Sequence, residues 1–124
     1  MNLRSPLARV RHLGSAHDGT GHWWAQRLSA LALVPLVLWF AVSVVSLVGA
    51  DHAAFAAWAG HPISGALLIL LVGATFHHAA LGLQVVIEDY VHHGGAKLAL
   101  LLLVKGASLL LGVIATLSVL SLMF

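Results

Sequence analysis

The chain has 124 residues, of which 60% are hydrophobic and only 8% are charged. A water-soluble domain of this length needs a polar surface that so few charged residues cannot cover, so the composition excludes an ordinary soluble domain. The net charge is only +2, and the absence of cysteine excludes a disulfide framework and a thiolate metal site.

The N-terminal segment, residues 1–26, is polar and basic. Its arginines, together with the one that follows it, are Arg4, Arg9, Arg11 and Arg27. A basic segment ahead of apolar runs indicates orientation in a membrane rather than nucleic-acid binding. It has no short apolar run with a cleavage site, so we expect it to be retained rather than removed as a secretory signal. Gly14, Gly19 and Gly21 are expected to interrupt any helix in this segment.

Three apolar runs follow, at about residues 28–50, 63–87 and 98–123. Each exceeds the roughly 20 residues that a membrane-spanning helix needs. None alternates between polar and apolar residues as the strands of a barrel do, and helices satisfy their own backbone in lipid. The sequence therefore predicts an all-α membrane protein, with three transmembrane helices in residues 27–124.

The segments between the runs predict where the helices begin and end. Gly49 is expected to close the first helix, and residues 51–61 to form a loop of about a dozen residues. Pro62 suits the first turn of the second helix. The pair Gly94-Gly95 is expected to stop that helix, and the short second loop predicts that helices two and three are antiparallel neighbours.

The distribution of Lys and Arg predicts the orientation. The N-terminal segment carries four arginines with Arg27 included, the first loop has no Lys or Arg, and the second loop carries Lys97. By the positive-inside rule, the N-terminus and the second loop lie on the cytoplasmic side, and the first loop and the C-terminus lie outside. The sequence Glu88-Asp89-Tyr90 then lies at the inner surface of the membrane.

The stretch HHAALGLQVVIEDYVHH, residues 77–93, places ionisable residues within and after the second span. Asp89 lies eleven positions after His78, which corresponds to a net helical rotation of about 20° and a rise of about 16 Å. The two side chains therefore share one face, and Gly82 on that face would let a flat ligand approach the backbone. His78 falls near the middle of the bilayer, where an ionisable residue indicates a functional site.

Two interpretations are open for His78. A neutral imidazole can ligate haem iron, or it can donate a hydrogen bond to a carbonyl of a neighbouring helix. His77 points about 100° away and the remaining histidines lie close to the membrane surfaces, so a second haem ligand would be expected from another chain. We interpret His77 as a packing or hydrogen-bonding residue, and His92 and His93 as solvated loop residues.

The charged and phenolic residues near the inner surface also allow two interpretations each. Tyr90 is either a member of the interfacial aromatic belt or a hydrogen-bond donor to a ligand carbonyl, with Asp89 orienting that donor or relaying protons. Arg27 either snorkels to lipid phosphates or pairs with a ligand carboxylate. Lys105, within the third span, either snorkels to the membrane surface, which is the favoured interpretation, or faces a partner or cofactor.

Taken together, these motifs resemble one known family. A basic N-terminal segment, the stretch GHWWAQRLSALALVPL at the start of the first span, and His78 with Gly82, Asp89 and Tyr90 in the second are similar to the hydrophobic membrane anchor subunit of succinate dehydrogenase, respiratory Complex II. Within that complex the resemblance is to the smaller, D-type anchor. The resemblance in the arrangement of the three spans covers nearly the whole chain.

The resemblance implies a site and a set of partners. The anchor forms a bundle with a second three-helix anchor, the cytochrome b556 subunit, and the pair holds one haem b. His78 matches an axial ligand of the haem iron, and Arg27 matches an arginine near the haem propionates and the quinone pocket. Tyr90 matches a tyrosine that binds a ubiquinone carbonyl, and Asp89 its acidic neighbour.

The same resemblance implies the wider reaction. A flavoprotein subunit with FAD and an iron–sulfur subunit dock on the inner face of a bacterial inner membrane, and electrons pass from succinate to quinone. The chain alone is expected to catalyse nothing. Two alternatives stay open: a fumarate reductase-type anchor that uses menaquinone, and a non-redox transporter subunit or assembly factor in which His78 and Asp89 relay protons.

Overall fold

The computed structural model describes residues 18–124, and every regular element in that range is a helix. The helices are α1 (Asp18–Ser46), α2 (His52–Gly60), α3 (Pro62–Tyr90) and α4 (Gly94–Met123). Three of them, α1, α3 and α4, are long and apolar enough to cross a membrane. This confirms the predicted all-α fold with three long apolar spans.

Helix α1 begins earlier than the first apolar run. It starts at Asp18, so the last nine residues of the predicted polar segment are helical, while residues 1–17 lie outside the described range. Gly19 and Gly21 lie within α1, and the expectation that they interrupt a helix is wrong. A glycine costs a helix only about 1 kcal/mol relative to alanine, which packing of the same helix against α3 can offset.

The connection between the first two spans contains a helix that the sequence pattern did not predict. Gly49 adopts a left-handed backbone, with φ of 83°, just after α1 ends, as a closing glycine should. Asp51 then caps α2, since its carboxylate accepts a hydrogen bond from the Ala54 N–H at 2.8 Å. Trp58 of α2 stacks on Trp39 of α1, with ring centroids 5.8 Å apart.

The second connection is shorter than predicted. Pro62 lies in the first turn of α3, as expected, but α3 ends at Tyr90 and only residues 91–93 precede α4. Gly94 and Gly95 were expected to stop the second helix, and this is wrong, because they form the first turn of α4. His93 caps α4 by accepting a hydrogen bond from the Ala96 N–H at 3.2 Å, so this loop residue has a local structural role.

Helix α3 lies at the centre of the described chain. It packs antiparallel against both α1 and α4, whereas no Cα atom of α1 lies within 8 Å of one in α4. The long helices therefore form an open row, and most of their apolar side chains are exposed. In a membrane, lipid and other helices would have to cover this surface.

Candidate functional site

The contact between α1 and α3 is built around His78. Its Nδ1 atom lies 2.9 Å from the Oγ atom of Ser29. Ser29 is buried, with 8% of its surface exposed, and its Oγ also lies 3.0 Å from the backbone carbonyl oxygen of Gln26. His78 is half-buried, so the packing of α1 on α3 shields this polar contact but does not enclose the whole imidazole.

A second contact lies one turn further along α3. A methyl group at Gly82 would lie 3.6 Å from the Nε2 atom of Gln26, which is ordinary van der Waals contact. The space beside Gly82, which was expected to admit a flat ligand, is therefore partly lined by the side chain of Gln26. Because Ser29 meets His78 while Gln26 meets Gly82, the start of α1 lies beside the end of α3.

A polar stripe on α1 faces this contact. His22, Gln26 and Ser29 are spaced four and three residues apart, which places them on one side of the helix. The Nε2 atom of His22 and the Oε1 atom of Gln26 are buried, and neither has a hydrogen-bond partner among residues 18–124. Buried polar atoms are nearly always paired, so these two atoms mark a polar position beside the α1–α3 contact that the described residues leave unsatisfied.

Sequence reasoning missed Ser29 and Gln26. The signal was present, because polar residues at positions i, i+4 and i+7 of an otherwise apolar helix indicate a face turned towards protein or cofactor rather than lipid.

Asp89 and Tyr90 form the exposed end of α3. Tyr90 is 79% exposed, and within the described residues neither side chain makes a hydrogen bond. Their neighbour Glu88 differs, because its carboxylate accepts a bond from Gln84 Nε2 at 2.8 Å and its carbonyl accepts one from Lys97 Nζ at 3.2 Å. Among residues 18–124, the carboxylate of Asp89 and the phenol of Tyr90 are therefore exposed and unpaired.

Arg27 lies on a different side of α1 from Ser29, two residues and about 200° of rotation away. Its guanidinium carbon is 5.2 Å from the centre of the Trp23 ring, a cation–π contact. Among residues 18–124, no ion pair or hydrogen bond joins Arg27 to His78, Asp89 or Tyr90. Within the described residues, the four predicted site residues are therefore not linked to one another by hydrogen bonds or ion pairs.

His77 lies in a separate environment. It lines a groove of about 460 Å³ between α3 and α4, together with Lys105, Ser108 and several apolar side chains. Both His77 and Lys105 are exposed in this groove. The two adjacent histidines therefore face different neighbours, as their predicted angular separation requires.

Comparison with known proteins gives a consistent result. Residues 1–120 match the family model described as the succinate dehydrogenase/fumarate reductase transmembrane subunit. A succinate dehydrogenase hydrophobic membrane anchor subunit of Rickettsia bellii (strain RML369-C) is 32% identical over 88% of this chain and 87% of its own length. The protein of the same name from Paracoccus denitrificans is 33% identical over 82% of this chain and 78% of its own length.

A more distant relative extends the comparison. The succinate dehydrogenase membrane anchor subunit of Reclinomonas americana is 25% identical over 78% of this chain and 83% of its own length. No solved structure matches the chain significantly. With three long apolar helices and a family model that matches nearly all of the sequence, the chain belongs to the succinate dehydrogenase/fumarate reductase transmembrane subunit family.

Proposed function

We propose that this chain is the hydrophobic membrane anchor of a succinate:quinone oxidoreductase in a bacterial inner membrane. The names of the relatives support succinate dehydrogenase over fumarate reductase, since those reported above all carry the former name. Its proposed partners are a second three-helix anchor of the cytochrome b556 type, an iron–sulfur subunit and a flavoprotein subunit. Family membership disfavours the non-redox alternatives.

Within that complex, His78 would ligate the iron of a haem b held between the two anchors. The observation that carries this proposal is the Ser29–His78 contact, which engages Nδ1 and leaves Nε2 as the ring nitrogen for a metal. A bound haem would exchange single electrons; the protein holds and orients it.

Tyr90 and Asp89 form the part of the quinone site that this chain contributes. The Tyr90 hydroxyl donates a hydrogen bond to a ubiquinone carbonyl, and Asp89 connects that site to the protons of the inner aqueous phase. Their exposure and lack of partners within residues 18–124 support this role. Arg27 is proposed to meet the haem propionates and the quinone pocket, for which its guanidinium fork is suited.

The haem role is tested by His78→Ala in the assembled complex. We expect the b-type absorption of the purified membranes to be lost, because the side chain that would ligate the haem iron is removed. His77→Ala is the matched control, since it removes the adjacent imidazole, which faces the α3–α4 groove instead. A b-type spectrum that survives His78→Ala unchanged would refute ligation by His78.

A further inference from the structure

The hydroxyl of Ser29 takes part in two hydrogen bonds but has only one hydrogen atom to donate. Its Oγ lies 3.0 Å from the Gln26 carbonyl oxygen and 2.9 Å from His78 Nδ1. A carbonyl oxygen can only accept, so the hydroxyl hydrogen is donated to Gln26. The contact between Ser29 Oγ and His78 Nδ1 can then be a hydrogen bond only if Oγ is the acceptor. His78 Nδ1 must therefore carry a hydrogen and donate it to Oγ.

A neutral imidazole has a hydrogen on only one of its two nitrogens. If that hydrogen is on Nδ1, the lone pair is on Nε2. We propose that Ser29 is a positioning residue that selects this tautomer of His78 and fixes the plane of its ring, so that Nε2 is ready to bind haem iron. The inference rests on the proposed haem function and adds the residue that prepares the ligand.

The surroundings of Ser29 suit this role. A serine in a helix can bond back to a carbonyl one turn earlier, and this bond directs its lone pairs outward toward α3. The residue is 8% exposed, so water competes little for its hydroxyl, and a hydrogen bond is stronger in such a low-dielectric setting. In known metal sites the second nitrogen of a ligating histidine almost always donates its hydrogen to an acceptor.

The chemical nature of the partner matters as well. An acceptor on Nδ1–H increases the electron donation of the imidazole to the metal, and a carboxylate does so more strongly than a neutral hydroxyl. Ser29 therefore orients His78 with only a modest increase in ligand basicity. Loss of the hydroxyl should weaken haem retention and raise the midpoint potential of the haem.

The test is Ser29→Ala in the complete membrane-bound complex. We expect the affinity for haem to fall about 10- to 100-fold, the range found when partners of ligating histidines are removed, and the midpoint potential to rise. Ser29→Thr should restore both, because it keeps the hydroxyl. Haem content and a redox titration of the b-type absorption are the readouts, and neither depends on enzyme turnover.

Ser43→Ala is the matched control. Ser43 is also on α1 and is buried to the same degree, at 9% exposed, but it lies about 21 Å further along the helix axis. If the complex with Ser29→Ala does not assemble, the test uses Ser29→Cys instead. The cysteine thiol is similar in size to the serine hydroxyl but is only a weak hydrogen-bond acceptor. The same loss of affinity and rise in potential are expected from the cysteine variant.

The outcomes separate this inference from the proposed function. If His78→Ala abolishes the b-type absorption while Ser29→Ala behaves like Ser43→Ala, the role of Ser29 is overturned and haem ligation stands. If the absorption survives His78→Ala, both are overturned. Weaker haem retention and a raised potential in Ser29→Ala, restored by threonine, support the assignment.

Discussion

At the scale of single residues, the polar side chains of α3 contact different helices according to the side of α3 on which they lie. His78 contacts Ser29 of α1, while His77, one residue earlier, faces the groove that also contains Lys105. Asp89 lies on the same helical face as His78, but at the exposed end of the helix. The face is therefore polar at two depths, which suits a buried cofactor and a ligand that enters from the membrane surface.

The role of Tyr90 gives a prediction at this scale. Tyr90→Phe removes one hydroxyl and keeps the ring, so it should lower quinone reductase activity about tenfold, the effect of a typical lost hydrogen bond. Succinate oxidation with an artificial soluble acceptor should be unchanged, because that electron path bypasses the quinone. The two activities are measured on the same membrane preparation.

Glu88→Gln is a useful control for Tyr90→Phe. Glu88 is two residues away and exposed, but its carboxylate already pairs with Gln84, so its amide variant should keep both activities. Equal loss of quinone reduction and artificial-acceptor activity in Tyr90→Phe would indicate failed assembly. That result would count against a direct quinone contact.

At the scale of helices, close contacts depend on glycines at particular positions. A Cβ atom at Gly60 would collide with the backbone carbonyl of Leu122 in α4, and one at Gly65 would collide with the side chain of Met123. A backbone carbonyl cannot move without shifting its helix, whereas a methionine side chain can adopt another rotamer. These glycines let the α2–α3 corner approach the end of α4.

This contact predicts the stability of two variants. Gly60→Ala should destabilise the protein by about 1–3 kcal/mol through overpacking, and Gly65→Ala by less. Gly73→Ala is the control, because nothing lies within 4 Å of the added carbon and alanine favours the helix. Thermal denaturation of the detergent-solubilised complex measures the effect; a Gly60→Ala midpoint equal to that of Gly73→Ala would contradict it.

At the scale of the whole molecule, the open row of helices leaves both sides of the chain apolar and largely uncovered. α3 is flanked by α1 and α4, which do not meet each other. A closed bundle would bury more of this surface, so the arrangement is suited to completion by the helices of another subunit. The buried but unpaired atoms of His22 and Gln26 lie on the same side of α1 as the His78 contact.

The predicted orientation can be tested directly, because the natural chain contains no cysteine. In intact spheroplasts, a membrane-impermeant maleimide should modify Ala53→Cys in α2 and leave His92→Cys unmodified until the membrane is solubilised. We expect this pattern because arginines are concentrated before the first span, whereas the connection between the first two spans has none. The opposite labelling pattern would reverse the predicted orientation.

The sequence by itself determined the class of fold and supplied the candidate site residues. Length and hydrophobicity were enough to predict three spanning helices, because a helix in lipid must make all its backbone hydrogen bonds within itself. Periodicity was enough to place His78 and Asp89 on one face. The ends of helices were less predictable: Gly94 and Gly95 begin α4 instead of stopping α3, since a glycine pair permits either a helix start or a stop.

Only the tertiary structure decided which neighbours these residues have. The capped helix α2 depends on Asp51 and on stacking between Trp39 and Trp58, which are distant in sequence. The partner of His78 is Ser29, 49 residues away, and their contact exists because α1 packs antiparallel on α3. Helical periodicity fixes which residues share a face, but the register between two helices comes from side-chain packing, and that register determined the surroundings of His78.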